Sequence, residues 1–161
     1  MLRIMFSDES EEALKVSVSR QVAQGNLKRV AHGLYANPDA ISKPSDFVLE
    51  SIIAYLRPDD FSYLSAETVL SEAGVISQMP SLLVVITTGK KKTVKTAFGD
   101  IEFIHTDCPV SELKANTTYD SDRGCFVATI DRAYDDLRRL RRSLDLVDQE
   151  ELAERRIEGG Q

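Results

Sequence analysis

The 161-residue chain has no tryptophan and only two cysteines and two histidines. Cys108 and Cys125 show no repeated spacing, so neither a disulfide framework nor a zinc site can be read from them. His32 and His105 are far apart in sequence and give no metal-ligand spacing. No metal and no cofactor is expected. Long apolar runs are missing too. The longest, residues 82–86, has the length of a strand, against the roughly 18 residues that a bilayer span needs. Residues 1–6 carry Arg3 but no long apolar region and no small-residue cleavage site. No leader or membrane association is therefore expected, and the cytoplasm is the default compartment.

Catalytic signatures are also lacking. Gly89-Lys90 with Thr93 does not have the spacing of a phosphate loop, and there is no Gly-x-Ser-x-Gly elbow. Cys108 lies three residues from His105, but a packed, reduced thiol is the simpler reading. Asp131, Asp135 and Asp136 open a helix, where the dipole favours acids. The expectation is a protein that is not an enzyme.

Acids outnumber bases, 26 to 20, for a net charge of −6. That sum disfavours a general nucleic-acid coat, because phosphate is repelled by an acidic surface. The distribution is segregated, however. Residues 13–38 hold Lys15, Arg20, Lys28 and Arg29 and no acid, and residues 89–99 hold Lys90, Lys91, Lys92 and Lys95 and no acid. Arg138, Arg139, Arg141 and Arg142 form a third basic run. Local footprints of positive charge are compatible with a negative total.

Along the chain, Asp8, Glu9, Glu11 and Glu12 read as the acidic first turn of a helix capped by Ser7. Leu14, Val18 and Val22 share one helical face; a break near Val16-Ser17 is left open. Gly25-Asn26 stops the helix. Leu27 and Val30, then Leu34 and Ala36, predict two short strands around His32-Gly33, and a hairpin directly after a helix is the arrangement of a winged helix. Ser45 can cap a helix over 47–56, ended by Pro58. A short strand over 61–64 precedes a helix capped by Ser65 and stopped by Gly74. Residues 82–88 predict a central strand. Gly99-Asp100 predicts a two-residue hairpin between strands 93–98 and 101–106. A strand over 125–128 leads to a helix capped by Thr129 and running to Leu144. Asp148 with Glu151 resembles a capping box for a last helix. This order predicts a mixed α+β fold: a small unit over 1–40, then a sheet-and-helix body over 41–161.

Several of these segments resemble those of the AbiEi-type antitoxins. Gly25-Asn26-Leu27-Lys28-Arg29-Val30 with His32-Gly33-Leu34-Tyr35-Ala36 is similar to the family's wing, roughly G-x-L-x-R-V-x-x-G-x-Y. The helix over 47–56, Tyr63-Leu64-Ser65 and the helix to Gly74 resemble the next block. So do Ile76 to Met79-Pro80 and the strand to Thr88 with its basic turn. Ala128-Thr129-Ile130-Asp131-Arg132-Ala133 with Asp135-Asp136-Leu137 resembles an A-T-x-E-R-A-x-x-D-L helix start, with Asp131 where glutamate is commoner. The resemblance runs in order from about Gly25 to Leu152.

The resemblance implies an abbreviated winged helix-turn-helix followed by an antitoxin domain. Its function would be that of a type IV antitoxin, a transcriptional repressor of its own operon in phage defence. Its partners would be operator DNA, read as a dimer or cooperatively, and a nucleotidyltransferase-like toxin. Only about two dozen residues precede the wing, where a complete unit has three helices. On this reading Ser19, Arg20, Gln21 and Gln24 face base edges, and Lys28, Arg29 and His32 contact phosphates from the wing. Lys90, Lys91, Lys92 and Lys95 are a second basic contact, or else an edge protected from pairing. A module that binds its toxin directly, without DNA, is the alternative.

Overall fold

The computed structural model describes residues 10–41 and 46–158. The chain divides into two compact units between Asp46 and Phe47. Helices and strands are mixed throughout, as the order of elements predicts.

The first unit is a helix followed by a hairpin. Helix α1 spans Glu11–Ala23, and Ser10 caps it by accepting from the Ala13 amide at 3.2 Å. The expected cap, Ser7, lies outside the described residues, as do Asp8 and Glu9. The helix runs unbroken through Val16 and Ser17. It ends in a Schellman motif: the Gly25 amide donates to the Val22 carbonyl and the Asn26 amide to that of Gln21. Gly25 takes φ +77, which a side chain would resist. Strands β1 (Lys28–Ala31) and β2 (Leu34–Ala36) pair antiparallel, with Ala31 opposite Leu34. The turn is therefore His32-Gly33, with Gly33 at φ +74. A one-turn helix, α2 (Pro38–Ile41), follows.

The second unit is built on a six-stranded sheet. Two one-turn helices, α3 (Val48–Ser51) and α4 (Ile53–Leu56), replace the single helix expected over 47–56. They meet at Ile52, and Phe47 at the start makes no side-chain cap; Ser45 lies outside the described residues. Strand β3 (Ser62–Leu64) leads through Ser65 into α5 (Ala66–Glu72). Then come β4 (Leu83–Thr87), β5 (Lys92–Lys95), β6 (Asp100–His105), α6 (Val110–Ala115), β7 (Thr117–Asp120), β8 (Cys125–Ala128), α7 (Ile130–Leu140) and α8 (Gln149–Glu158). The strand order is β5-β6-β4-β3-β8-β7. The pairs β4–β6 and β3–β8 are parallel and the others antiparallel.

Strand β4 is central, as its β-branched composition predicts: Val84, Val85, Ile86 and Thr87 are all buried. Register sorts the faces. Tyr63, Ile86 and Ile104 line up across the sheet on one side, and Leu64, Val85 and Phe103 on the other. Helix α7 covers the Tyr63 side with Ala133 and Leu137, both fully buried and one turn apart. On the Phe103 side the Arg57 guanidinium, just after α4, lies 4.8 Å from the ring centroid.

Two expectations fail locally. Lys95 pairs with Asp100, so β5 and β6 are joined by the four residues 96–99 rather than by Gly99-Asp100. Thr96 closes that loop, its hydroxyl donating to the Gly99 carbonyl at 2.7 Å. Helix α7 stops at Leu140, where Arg141 turns left-handed at φ +54. Leu144 falls instead in a 3₁₀ turn, Leu144–Leu146. At α8, Asp148 accepts from the amides of Glu150 and Glu151 as a cap should. The reciprocal half of the box is absent, because Glu151 bonds Arg155 at 2.8 Å.

Candidate functional site

In the first unit the proposed base-reading residues sit on the C-terminal half of α1, with Gln24 as its C-cap. Ser19, Arg20 and Gln24 are exposed and Gln21 is partly covered. Arg20 and Gln24 are four residues apart and share a face; Ser19 is rotated away from it. The glutamine amides are already engaged. Asn26 Nδ2 donates to Gln21 Oε1 at 2.8 Å and reaches Gln24 Oε1 at 3.4 Å. On the hairpin, Lys28, Arg29 and His32 are exposed. Arg29 folds over the turn, Nε donating to the Ala31 carbonyl at 3.3 Å and Nη2 to His32 Nδ1 at 3.0 Å. A guanidinium has no acceptor, so the imidazole accepts. Among the described residues no ion pair neutralises Arg20, Lys28 or Arg29, whereas Lys15 pairs loosely with Glu11 at 3.8 Å. The helix end and the hairpin thus carry cations open to an anionic partner.

In the second unit Lys90, Lys91, Lys92 and Lys95 are all exposed. They do not form one face. Lys92 and Lys95 are three residues apart on a strand, so their side chains point to opposite sides of the sheet. The turn before them is pinned by Arg57, whose Nη2 donates to the Lys90 carbonyl at 2.7 Å. A charged edge strand is protected from pairing with another chain.

The most developed polar constellation lies elsewhere, under α7. Arg132 and Asp136 are each 4% exposed and pair Nη2 to Oδ1 at 2.9 Å. The Tyr63 and Ser65 hydroxyls both donate to Asp136 Oδ2, at 2.9 and 2.7 Å. Arg132 Nε donates to the Tyr63 hydroxyl at 3.1 Å, and Nη1 reaches Glu112 Oε1 at 3.2 Å. Ser65 stands at the N-cap of α5, as the sequence suggests, yet its hydroxyl is spent on Asp136 and makes no cap. Ala66, fully buried, follows at φ +51, the strained corner through which the chain turns from β3 into α5.

Burial, with Asp136 beside it, pushes the Tyr63 hydroxyl well above the ordinary phenol range. Burial alone works against charge on Arg132. Cys108, Asp136 and Tyr63 more than offset it, so the guanidinium is held above its usual range. With both hydroxyls and both charges enclosed, the cluster acts as a latch between β3, α5 and α7 and not as an open reaction centre.

Cys108 stands at the rim of this latch, half-exposed. Arg139 Nη1 approaches its sulfur at 3.0 Å and Arg132 Nη2 at 3.7 Å. The Thr106 hydroxyl, then the two guanidinium groups, hold the thiol below its ordinary range against the opposing effect of burial. His105 takes no part, since it bonds the Gly89 carbonyl and Asp107, each at 2.8 Å. Cys125 is buried, and burial pushes its thiol up to about 12.

A second ionic cluster ties the end of α7 to the sheet. Arg142 lies 2.6 Å from Glu67 Oε1 and 2.9 Å from Glu102 Oε2, and Ser143 donates to Glu67 at 3.1 Å. Arg142 thus belongs to a structural cluster, while Arg138 and Arg141 are exposed.

The sequence left Tyr63, Ser65 and Asp136 unassigned as a set. The available signal was the spacing of Arg132 and Asp136. Each directly precedes a buried apolar residue of the same face, Ala133 and Leu137. Comparison with family models, curated proteins and solved structures gives no match.

Proposed function

We propose that this protein is an antitoxin that binds the promoter of its own operon and counteracts a nucleotidyltransferase-like toxin, as an AbiEi-type protein would. The observation that carries the DNA half is the set of exposed cations Arg20, Lys28 and Arg29, which have no carboxylate partner among the described residues and sit on a helix end and the adjoining hairpin. Phosphate neutralisation by such residues provides sequence-independent affinity, and a helix face beside them provides readout. The antitoxin half rests on the resemblance of the body. Two of its quoted segments, 63–65 and 128–137, lie some 60 residues apart in sequence and meet in the Tyr63–Ser65–Arg132–Asp136 latch. Motif residues that form one buried unit are what a defining structural signature supplies.

A specific observation favours the alternative, direct toxin binding without DNA. The amides of Gln21 and Gln24 already accept from Asn26 and are less free to read adenine. Co-expression with the product of the neighbouring gene tests the antitoxin reading. Restored growth of cells otherwise arrested by that product supports it, and continued arrest contradicts it. Co-purification then separates the two versions: a stable stoichiometric complex favours direct binding, and its absence with promoter binding favours the repressor.

A further inference from the structure

Strand β7 is one end of the six-stranded sheet, and among the described residues no strand pairs with its outer side. Its inner side is fixed by β8, with Thr118 opposite Val127 and Asp120 opposite Cys125. The Thr129 amide donates to the Asn116 carbonyl just beyond that pairing. By the alternation of an antiparallel ladder, the amides and carbonyls of Thr118 and Asp120 then face β8. Those of Thr117 and Tyr119 face outward. Outward backbone groups on a sheet edge are a template for a further strand.

The two ends of the sheet differ in charge. At the β5 end, a second copy of the chain would bring Lys90, Lys91, Lys92 and Lys95 against the same four cations. That edge repels its own kind. Strand β7 has no lysine, no proline and no irregularity of register. Its one charged residue, Asp120, is already paired with Arg123 Nε at 3.2 Å. Thr118 is exposed, and Tyr119 is 56% exposed.

The β7 edge is complementary to itself. Only outward-facing residues can exchange bonds with a new strand. An antiparallel copy related by a two-fold axis at Thr118 therefore sets Thr117 opposite the partner's Tyr119, and Tyr119 opposite the partner's Thr117. Each such pair exchanges both of its N–H···O bonds. The side chains also match. Tyrosine beside threonine is a favourable aromatic–β-branched pair, and Thr118 meets its own copy as a threonine pair. Asp120 falls opposite Asn116, so no like charges face each other. The Tyr119 ring is already held in place. It packs edge-on against Phe126 at 5.3 Å, and Phe126 lies 4.9 Å from Phe61. Little side-chain freedom is lost when a second copy covers it.

We infer that the protein forms a two-fold homodimer through the β7 edge, the two sheets joining antiparallel about Thr118 into one continuous sheet. The interface is isologous, as a two-fold requires. It lies wholly in the second unit and does not depend on whether the first unit binds DNA.

Sedimentation velocity of the full chain tests this, over about 1 µM to 1 mM, the range in which small reversible interfaces associate. The native chain should pass from monomer to dimer. Thr118→Lys, at an exposed position, sets like charges opposite each other and should weaken association about fivefold or more. Thr118→Glu should do the same. An equimolar mixture of the two variants should associate at least as tightly as the native chain, because residue 118 of one copy then meets its opposite charge on the other. Thr93→Lys, exposed on the β5 edge, should leave the dimer unchanged. A native chain that stays monomeric, including one whose β7 edge is taken up only by a different protein, overturns the inference. So does a dimer indifferent to Thr118→Lys, or a mixture that associates no better than either variant alone.

Discussion

Arg132 and Asp136 stand one helical turn apart on α7 and meet at 2.9 Å with both side chains almost wholly buried. The pair connects the helix to β3 through Tyr63 and to the start of α5 through Ser65. Removing one member leaves the other charge enclosed, so Asp136→Ala should destabilise the body by about 3–5 kcal/mol. Tyr63→Phe keeps the ring and loses only the hydroxyl, and should cost about 1–2 kcal/mol. Replacing both charges, as Arg132→Met with Asp136→Leu, should recover most of the loss. Urea denaturation of the three variants checks the order, and a double replacement as damaging as Asp136→Ala would contradict it.

The two thiols should separate by reactivity. Thiolate is the nucleophile. Cys108 is half-exposed and held low by Thr106 and its flanking guanidinium groups, while Cys125 is buried and held near 12. At neutral pH iodoacetamide should label Cys108 first and leave Cys125 intact in the folded protein. Mass spectrometry over a pH series reads this. Arg139→Gln should move the Cys108 profile to higher pH, since one of its cations is gone.

Arg141 closes α7 in a left-handed conformation at φ +54. Glycine is at ease there, so Arg141→Gly should stabilise the protein by roughly 0.5–1 kcal/mol, a rise of about 1–4 °C in Tm. Were α7 to continue to Leu144, the same glycine would lie inside a helix and lower Tm by a similar amount. Thermal unfolding gives the sign directly.

Glu50 gives a pH-dependent prediction. Its carboxyl is raised by burial in the fold, so the stability associated with its protonated form is fully present below the unfolded value and is lost as pH rises through the folded one. Glu50→Gln removes the charge permanently. It should raise Tm at pH 7.5 and change it little at pH 4, where the native side chain is largely protonated. Parallel melts at the two pH values check it, and an equal shift at both would contradict it.

Much of the fold was legible because local signals and burial agree. Gly25-Asn26 ends α1, Thr129 caps α7 through the Arg132 amide, and the β-branched run at Val84 to Thr87 lies at the sheet centre. Elements α6 and β7 were not read. Residues 117–120 alternate weakly, and their pairing to β8 is set by the partner strand. The end of α7 misled for a related reason. Leu137, Leu140 and Leu144 continue a helical period, but Arg141 and Ser143 are left-handed and Arg142 between them pairs with Glu67 and Glu102 instead. The latch was illegible as a unit because Tyr63 and Ser65 look like ordinary strand and cap residues until α7 is laid over them. The burial of Glu50 was equally illegible, since in the sequence it resembles any exposed helix acid.

The proposed repressor function depends on specific DNA binding by the first unit. It is tested by fluorescence anisotropy with the promoter of the protein's own operon beside a scrambled duplex, over a salt series, for the native chain and for Arg20→Ala with Arg29→Ala. A preference for the promoter of roughly 10³-fold or more at physiological salt is expected, weakening steeply as salt rises. The double variant should bind far more weakly and with a shallower salt slope. Equal affinity for both duplexes, or a double variant indistinguishable from the native chain, would contradict it and leave the proposed antitoxin role to rest on the body alone.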